Sequence, residues 1–187
     1  MPDVRHYPLF ADLRGRRCLV VGAGSVGLEK ARGLVECGAS VTIVAPAADP
    51  GIGVLRARWV PREYRSDDLD GCFLVCAATS DTAVNRRVFQ EAEERHILCN
   101  VADVPDLCSF ILPAIHRQEP IAIAVSTGGA SPALAQRIRD EVAERYGAEH
   151  AKLAQRLESL RPWAKENLPT YEERRDFFRE RVEEALG

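Results

Sequence analysis

The chain has 187 residues, 46% of them hydrophobic and 28% charged, with a formal net charge of −3. This length suits one domain with a small appendage, and the composition argues against a disordered chain. The weak negative charge gives no global basic field to collect nucleic acid or acidic membrane, and apolar runs such as Cys18–Val21 and Phe73–Ala78 are far too short to cross a bilayer.

Taken in order, the N-terminal Met-Pro-Asp-Val-Arg-His has no apolar core behind a basic start. No secretory signal is expected, and the cytoplasm is the predicted compartment. Arg17–Val21 predicts a strand, and Ser25–Cys37 a helix with Val26, Ala31, Leu34 and Val35 on one side, closed by Gly38. Ser40–Val44 predicts the next strand, Ala45–Pro50 breaks the pattern, and a further strand is expected around Ala57–Pro61. Phe73–Ala77 is a continuously apolar strand, followed by Asp81 as cap for a helix over Thr82–Glu94 and by a strand over His96–Val101. Strands apolar on both faces, separated by amphipathic helices, predict a parallel sheet covered on both sides.

The organisation changes after Asp103. Ser109–Ile115 and Ile121–Ser126 read as two strands joined by a hairpin turn, His116-Arg117-Gln118-Glu119-Pro120. Ser131 caps a helix with Pro132 at its first position, running to about Tyr146, and Gly147 punctuates it. The remainder is charged and helical, with Leu153, Leu157 and Leu160 on one face, then Phe178, Val182 and Leu186; Pro162 and Pro169 are expected to divide it. Six cysteines form no C-x-x-C pair. Cys72 and Cys76 are expected on one face of a strand among apolar neighbours. Reduced, mostly buried thiols are predicted, with no disulfide or metal framework.

The strongest local motif is Gly22-Ala23-Gly24-Ser25-Val26-Gly27, placed directly after a strand and opening a helix. Gly22 permits the tight turn, Gly24 lets backbone approach a pyrophosphate, and Gly27 allows close helix–strand packing. The helix N-terminus offers unpaired N–H groups to the anion. A glycine-rich turn without a ligand is the plainer alternative; the strand before and the helix after favour dinucleotide binding. The second strand lacks the acidic residue usual for holding the adenosine ribose and ends Val44-Ala45-Pro46-Ala47. Backbone around Pro46 and Ala47, or the later Asp49, would have to replace it. No arginine stands there for a 2′-phosphate, so NAD is preferred over NADP. Asp103 closes the last strand of the parallel sheet, a position suited to acid–base work, although a turn aspartate before Pro105 is the simpler role.

Five segments occur together in order: Gly22–Gly27, Ala77-Ala78-Thr79-Ser80-Asp81 with Val84-Asn85, Asn100-Val101-Ala102-Asp103, Ser109-Phe110-Ile111-Leu112-Pro113, and Ala124 through Pro132. In these the chain resembles the precorrin-2 dehydrogenase family, which includes the N-terminal module of sirohaem synthase. The resemblance implies a Rossmann-type α/β sheet followed by a strand-pair dimerisation region and a helical C-terminal domain, here bounded at 1–112, 113–146 and 147–187. It implies a homodimer, NAD as cofactor, and oxidation of the acidic tetrapyrrole precorrin-2 to sirohydrochlorin, in some members with iron chelation. Asp103 matches the family's functional aspartate. Thr127 matches its glycine-turn serine, phosphorylatable in the fused enzyme. The chain stops where a fused enzyme would continue, so no methyltransferase domain is expected.

The candidate cofactor contacts are therefore Gly22, Gly24, Ser25, Val26, Gly27, Pro46, Ala47 and Thr79, with Asp103 as catalytic residue. Thr127, Gly128 and His116, beside the second glycine turn, are candidates for substrate contact. Arg56, Arg58, Arg62 and Arg65 could meet tetrapyrrole carboxylates or form a solvated face. The four histidines show no ligand spacing, so no metal site is assigned. Two other functions compete: a non-catalytic dinucleotide-sensing module, and a metallochelatase using the fold as scaffold. The sensor reading leaves the Ser126–Pro132 turn without a purpose.

Overall fold

The computed structural model describes residues 6–187, so all but His6 of the stretch read for a leader lies outside the described residues. The chain divides into two compact units, Met1–Ile111 and Leu112–Gly187.

The first unit runs β1 (Arg17–Val21), α1 (Ser25–Glu36), β2 (Ser40–Val44), β3 (Ala57–Val60), β4 (Leu74–Ala77), α2 (Thr82–Glu94) and β5 (Leu98–Val101). The strands form one parallel sheet in the order β3-β2-β1-β4-β5. Successive residues of the central strands go to opposite faces. Cys18, Val20, Ile43 and Cys76 pack with Ala31 and Leu34 of α1, while Leu19, Val21, Val75 and Ala77 pack with Val88 and Ala92 of α2. Each such aliphatic burial contributes about 1.5–3 kcal/mol, which makes this two-faced sheet the main source of the unit's stability.

The helix ends follow the local chemistry. Asp81 caps α2 by accepting hydrogen bonds from the backbone of Ala83 and Val84. Gly38, at φ +78, closes α1 with its N–H on the Val35 carbonyl. Val26 departs from expectation: it is 39% exposed, and the packed face of α1 is Gly27, Ala31 and Leu34. With Gly27 pressed against the sheet, the residue just before it in the first turn points outward. The last strand begins two residues later than expected, because His96 stands at φ +55 in the turn before it.

The cysteine pair also differs from the reading. Cys76 packs on the α1 side, whereas Cys72 packs on the α2 side with its thiol on the Asp68 carbonyl. Strand β4 begins only at Leu74, so the two-residue alternation that would align the pair does not extend back to Cys72. Among the described residues no two cysteines form a disulfide. Burial pushes Cys18 up to about 11 and Cys76 and Cys99 up to about 12, so these thiols stay protonated and unreactive near neutrality.

The second unit consists of an antiparallel hairpin, β6 (Ala114–Gln118) and β7 (Ile121–Val125), followed by α3 (Pro132–Arg145), α4 (Ala148–Asn167) and α5 (Tyr171–Leu186). Ser109–Pro113 is not part of the hairpin. Ser109 instead bonds back to Cys99, its N–H on the Cys99 carbonyl and its hydroxyl accepting from the Cys99 N–H. The ladder starts after Pro113, which has no N–H to contribute. The turn shrinks to Glu119-Pro120, so His116, Arg117 and Gln118 belong to β6. Pro162 does not divide the tail either. It lies inside α4, whose next residue, Trp163, packs on Phe177 of α5 with ring centroids 5.3 Å apart. That contact holds the helix across the missing N–H. The break comes at Pro169, where Thr170 and Glu173 form a reciprocal cap for α5.

One charged group ties the crossover before β4 onto α2. Glu91 accepts from Tyr64 Oη at 2.6 Å, Ser66 Oγ at 2.7 Å and Arg87 Nε at 2.7 Å. Burial alone would raise its pKa, but these donors outweigh burial and lower it from 4.5 to about 2. A folded-state value below the unfolded one stabilises the fold fully above about 4.5 and is lost as pH falls toward 2. Urea titrations should therefore show stability dropping across that window. Glu91→Gln, which has no charge to lose, should show a shallower drop. Equal slopes would assign the acid sensitivity to other groups.

Candidate functional site

The carboxyl ends of β2, β1, β4 and β5 form one edge of the first unit's sheet, and hydrogen bonds stitch the turns along it together. The Gly22 N–H donates to Val44 O at 2.9 Å, Ala78 N–H to Val21 O at 2.8 Å, and Ala102 N–H to Ala77 O at 2.9 Å. The chain leaves β1 toward β2 and leaves β4 toward β5, so the crossovers diverge between β1 and β4. Open α/β sheets bind ligands at such a divergence.

The three glycines of the first turn answer to different constraints. Gly22 sits at φ +102, and a methyl there would strike the Ala78 carbonyl oxygen. A methyl at Gly27 would strike the Gly22 carbonyl oxygen. Both are required by the chain's own packing. Gly24 is not: its φ of −77 and ψ of −172 suit any residue, and an added Cβ would meet nothing within 4 Å. A ligand lying on the backbone would give a reason for glycine there, because a side chain would fill the space that such a ligand needs. Gly24, Ser25 and Val26 are exposed, and the N-terminus of α1 has neither a side-chain cap nor an acidic residue in its first turn. Its outward N–H groups and partial positive charge suit a pyrophosphate.

Toward β2, Pro46 and Ala47 are exposed. The loop that carries them is held by the Trp59 indole N–H on Ala45 O at 3.0 Å and by the Asp49 N–H on Ala23 O at 2.8 Å. Asp49, the alternative ribose ligand, already uses Oδ1 to cap the turn at Gly51. That leaves the backbone of Pro46 and Ala47 as the better-placed partner. On the other side Thr79 follows β4, its N–H and hydroxyl both on Oδ1 of Asn85. Asn85 was not singled out as a site residue. Its signal was a polar residue on the apolar stripe of α2, in line with Val88 and Ala92. Asp103 is exposed in the turn after β5 at φ +60, a left-handed conformation that costs energy for a residue other than glycine. The first unit thus brings together every predicted cofactor residue and Asp103 along one edge.

The second unit holds the other candidates. Gly128 and Gly129 take φ +63 and +88, and the half-buried Thr127 hydroxyl closes that turn on the backbone of Ser131. His116 lies on β6, with Nε2 2.7 Å from the Tyr146 carbonyl. A carbonyl only accepts, so Nε2 carries the proton and His116 pins the end of α3. The glycine turn and His116 are therefore held by separate contacts. Of the arginines, Arg62 is committed to Asp68 by paired bonds of 2.8 and 2.6 Å. Among the described residues no group of three or more His, Cys, Asp or Glu is placed to hold a metal ion.

The glycine analysis separates fold from ligand. Gly22→Ala and Gly27→Ala should each cost roughly 1–3 kcal/mol by overpacking, whereas Gly24→Ala should stay within about 0.5 kcal/mol of the parent. Thermal melts of the three variants test this. A Gly24→Ala variant as unstable as the other two would return the whole motif to a packing role.

Comparison with known proteins sharpens the picture. The family described as NAD(P)-binding matches residues 9–114, and the one described as sirohaem biosynthesis protein central matches residues 118–145. The chain is 41% identical over 181 residues to a siroheme synthase of Thioalkalivibrio sulfidiphilus, covering 95% of this chain and 37% of that protein. It is 40% identical to the siroheme synthase of Azotobacter vinelandii, covering 94% of this chain and 39% of that one. It spans less than two fifths of the length of these relatives. Among solved structures, SirC, a precorrin-2 dehydrogenase, superposes with a TM-score of 0.78 at 27% identity, covering 94% of this chain and 88% of that chain. The chain belongs to the family described as NAD(P)-binding, whose match spans more than half of it, and it is similar over nearly its whole length to the precorrin-2 dehydrogenase SirC.

Proposed function

We propose that the chain is an NAD-dependent dehydrogenase that oxidises precorrin-2 to sirohydrochlorin in sirohaem biosynthesis. The observation that carries this reading is the similarity to SirC, which extends over nearly all of both chains rather than over the nucleotide fold alone. In the proposed reaction precorrin-2 loses a hydride and a proton. NAD supplies the hydride acceptor. The N-terminus of α1 and Gly24 hold its pyrophosphate, Pro46 and Ala47 its ribose, and Thr79 lines the opposite side. The absence of an arginine beside Pro46 favours NAD over NADP. Asp103 takes the proton, and its left-handed turn holds the carboxylate out at the sheet edge. Thr127, Gly128 and His116 are kept as the substrate-side candidates, with His116 acting through the end of α3 that it pins.

The functional division proposed is 1–112 for the dinucleotide, 113–146 for dimerisation and 147–187 for the helical domain. The support for a homodimer is physical. A two-stranded hairpin has two unpaired edges, and Ile115, Leu134 and Ile138 are exposed on this segment. No helix among the described residues is long and apolar enough to cross a membrane. Six cysteines with no disulfide among them support the reducing cytoplasm as the compartment of action.

Three measurements test this reading. Asp103→Asn keeps the size and tolerates the left-handed backbone, yet cannot take a proton. It should lower formation of sirohydrochlorin from precorrin-2 by about 10²–10⁴-fold while NAD binding persists. Turnover within a few-fold of the parent would leave Asp103 as a turn residue. Gly24→Asp, by contrast, should abolish NAD binding through bulk and like charge. Light scattering at micromolar concentration should report a dimer, and a monomer would remove the pairing role of the hairpin.

A further inference from the structure

Asn85 and Asn100 are the buried polar side chains among the described residues, 6% and 9% exposed. Each holds a segment against the carboxyl edge of the sheet. Asn100 Nδ2 donates to Phe110 O at 3.0 Å. Asn85 directs three hydrogen bonds to a single residue. Its Oδ1 accepts from the Thr79 N–H at 3.2 Å and from the Thr79 hydroxyl at 2.8 Å, while Nδ2 donates to Thr79 O at 2.9 Å.

We infer that Asn85 is a positioning residue for the nicotinamide half of the dinucleotide site, acting through Thr79. This rests on the proposed NAD-dependent reading. The strand order supplies the argument. With the ribose of the adenosine half at Pro46–Ala47 beyond β2, and the pyrophosphate at the turn after β1, the remaining half must extend the other way. It passes over β4 and β5, where Thr79 and Asp103 stand. The Ala78–Thr79 peptide already presses on Gly22, where a Cβ would lie 3.0 Å from Thr79 N. Any drift of Thr79 would therefore alter the wall against which that half must rest. Asn85 holds the residue's amide and carbonyl and shares its hydroxyl with the Asp81 backbone, so Thr79 has one orientation. A merely packing residue at this position on α2 would be apolar, as Val88 and Ala92 are.

The test compares NAD with ADP, which fills the adenosine and pyrophosphate positions only. Asn85→Asp keeps the acceptor but turns the donor into an oxygen facing Thr79 O. The new charge sits in the N-terminal part of α2, where the helix dipole favours it. By calorimetry on the full chain, NAD affinity should fall about tenfold or more, while ADP affinity stays within about twofold. Thr79→Val, which removes the hydroxyl at nearly constant volume, should weaken NAD by about threefold and leave ADP unchanged. Parallel losses for NAD and ADP in Asn85→Asp would mark a general structural role and overturn the inference. Unchanged NAD affinity in Thr79→Val would overturn it too, whether or not the Asn85 variant folds. Parent protein that binds neither nucleotide would overturn the cofactor reading, and this inference with it. Normal binding by the parent combined with an insensitive Asn85→Asp would overturn the inference alone.

Discussion

The close approach of two backbones, the Gly22 turn after β1 and the Ala78–Thr79 peptide after β4, is the constraint on which the first unit's site depends. Neither segment leaves room for a Cβ between them. Because they touch, the crossovers that diverge on either side leave their crevice directly above a rigid contact rather than above a flexible loop. The parallel strands beneath supply the rigidity: β1 and β4 are buried on both faces over nearly their whole length. Burial of aliphatic side chains thus sets the precision of a polar site several residues away.

The same edge shows a division of labour between backbone and side chain. The turn after β1 presents backbone N–H groups, with no side chain competing for them. The turns after β4 and β5 are held by side chains from elsewhere, Asn85 for the first and the Cys108 thiol, 3.3 Å from both Val101 O and Val104 O, for the second. A buried amide can both donate and accept, so it can fix a peptide unit at both its N–H and its carbonyl. Hydroxyl and carboxylate groups do this less completely, which accounts for asparagine at the most buried of these positions.

Much of the first unit was legible in the sequence. β-branched and aliphatic runs, Asp81 as a cap and Gly38 as a stop each act locally, and their elements fall where the pattern puts them. The glycine turn and the turn at Asp103 fall where the pattern puts them for the same reason, since strand and turn are contiguous in the chain. What escaped depends on contacts remote in sequence. Ser109 reads as strand but is captured by Cys99, ten positions earlier; Pro162 reads as a break but is carried through by Trp163 on Phe177. Asn85 stands in the sequence as part of a motif without a role, because its three bonds to Thr79 exist only once the helix has turned back over the strand. Val26 illustrates a different limit. Helical periodicity gives the width of an apolar face, but the position of that face was decided by Gly27 pressing on the sheet.

Gly24 has a consequence for the protein's life in the cell. Chaperones and proteases sample how often a chain opens, not whether it works. A residue whose side chain would touch nothing in the protein is invisible to that surveillance. Most damaging changes in the core of the first unit would be cleared as unstable chain, but, on the proposed cofactor role of Gly24, a change there would leave a durable, well-folded and idle molecule. In a paired assembly such a molecule would still occupy a place beside a working copy.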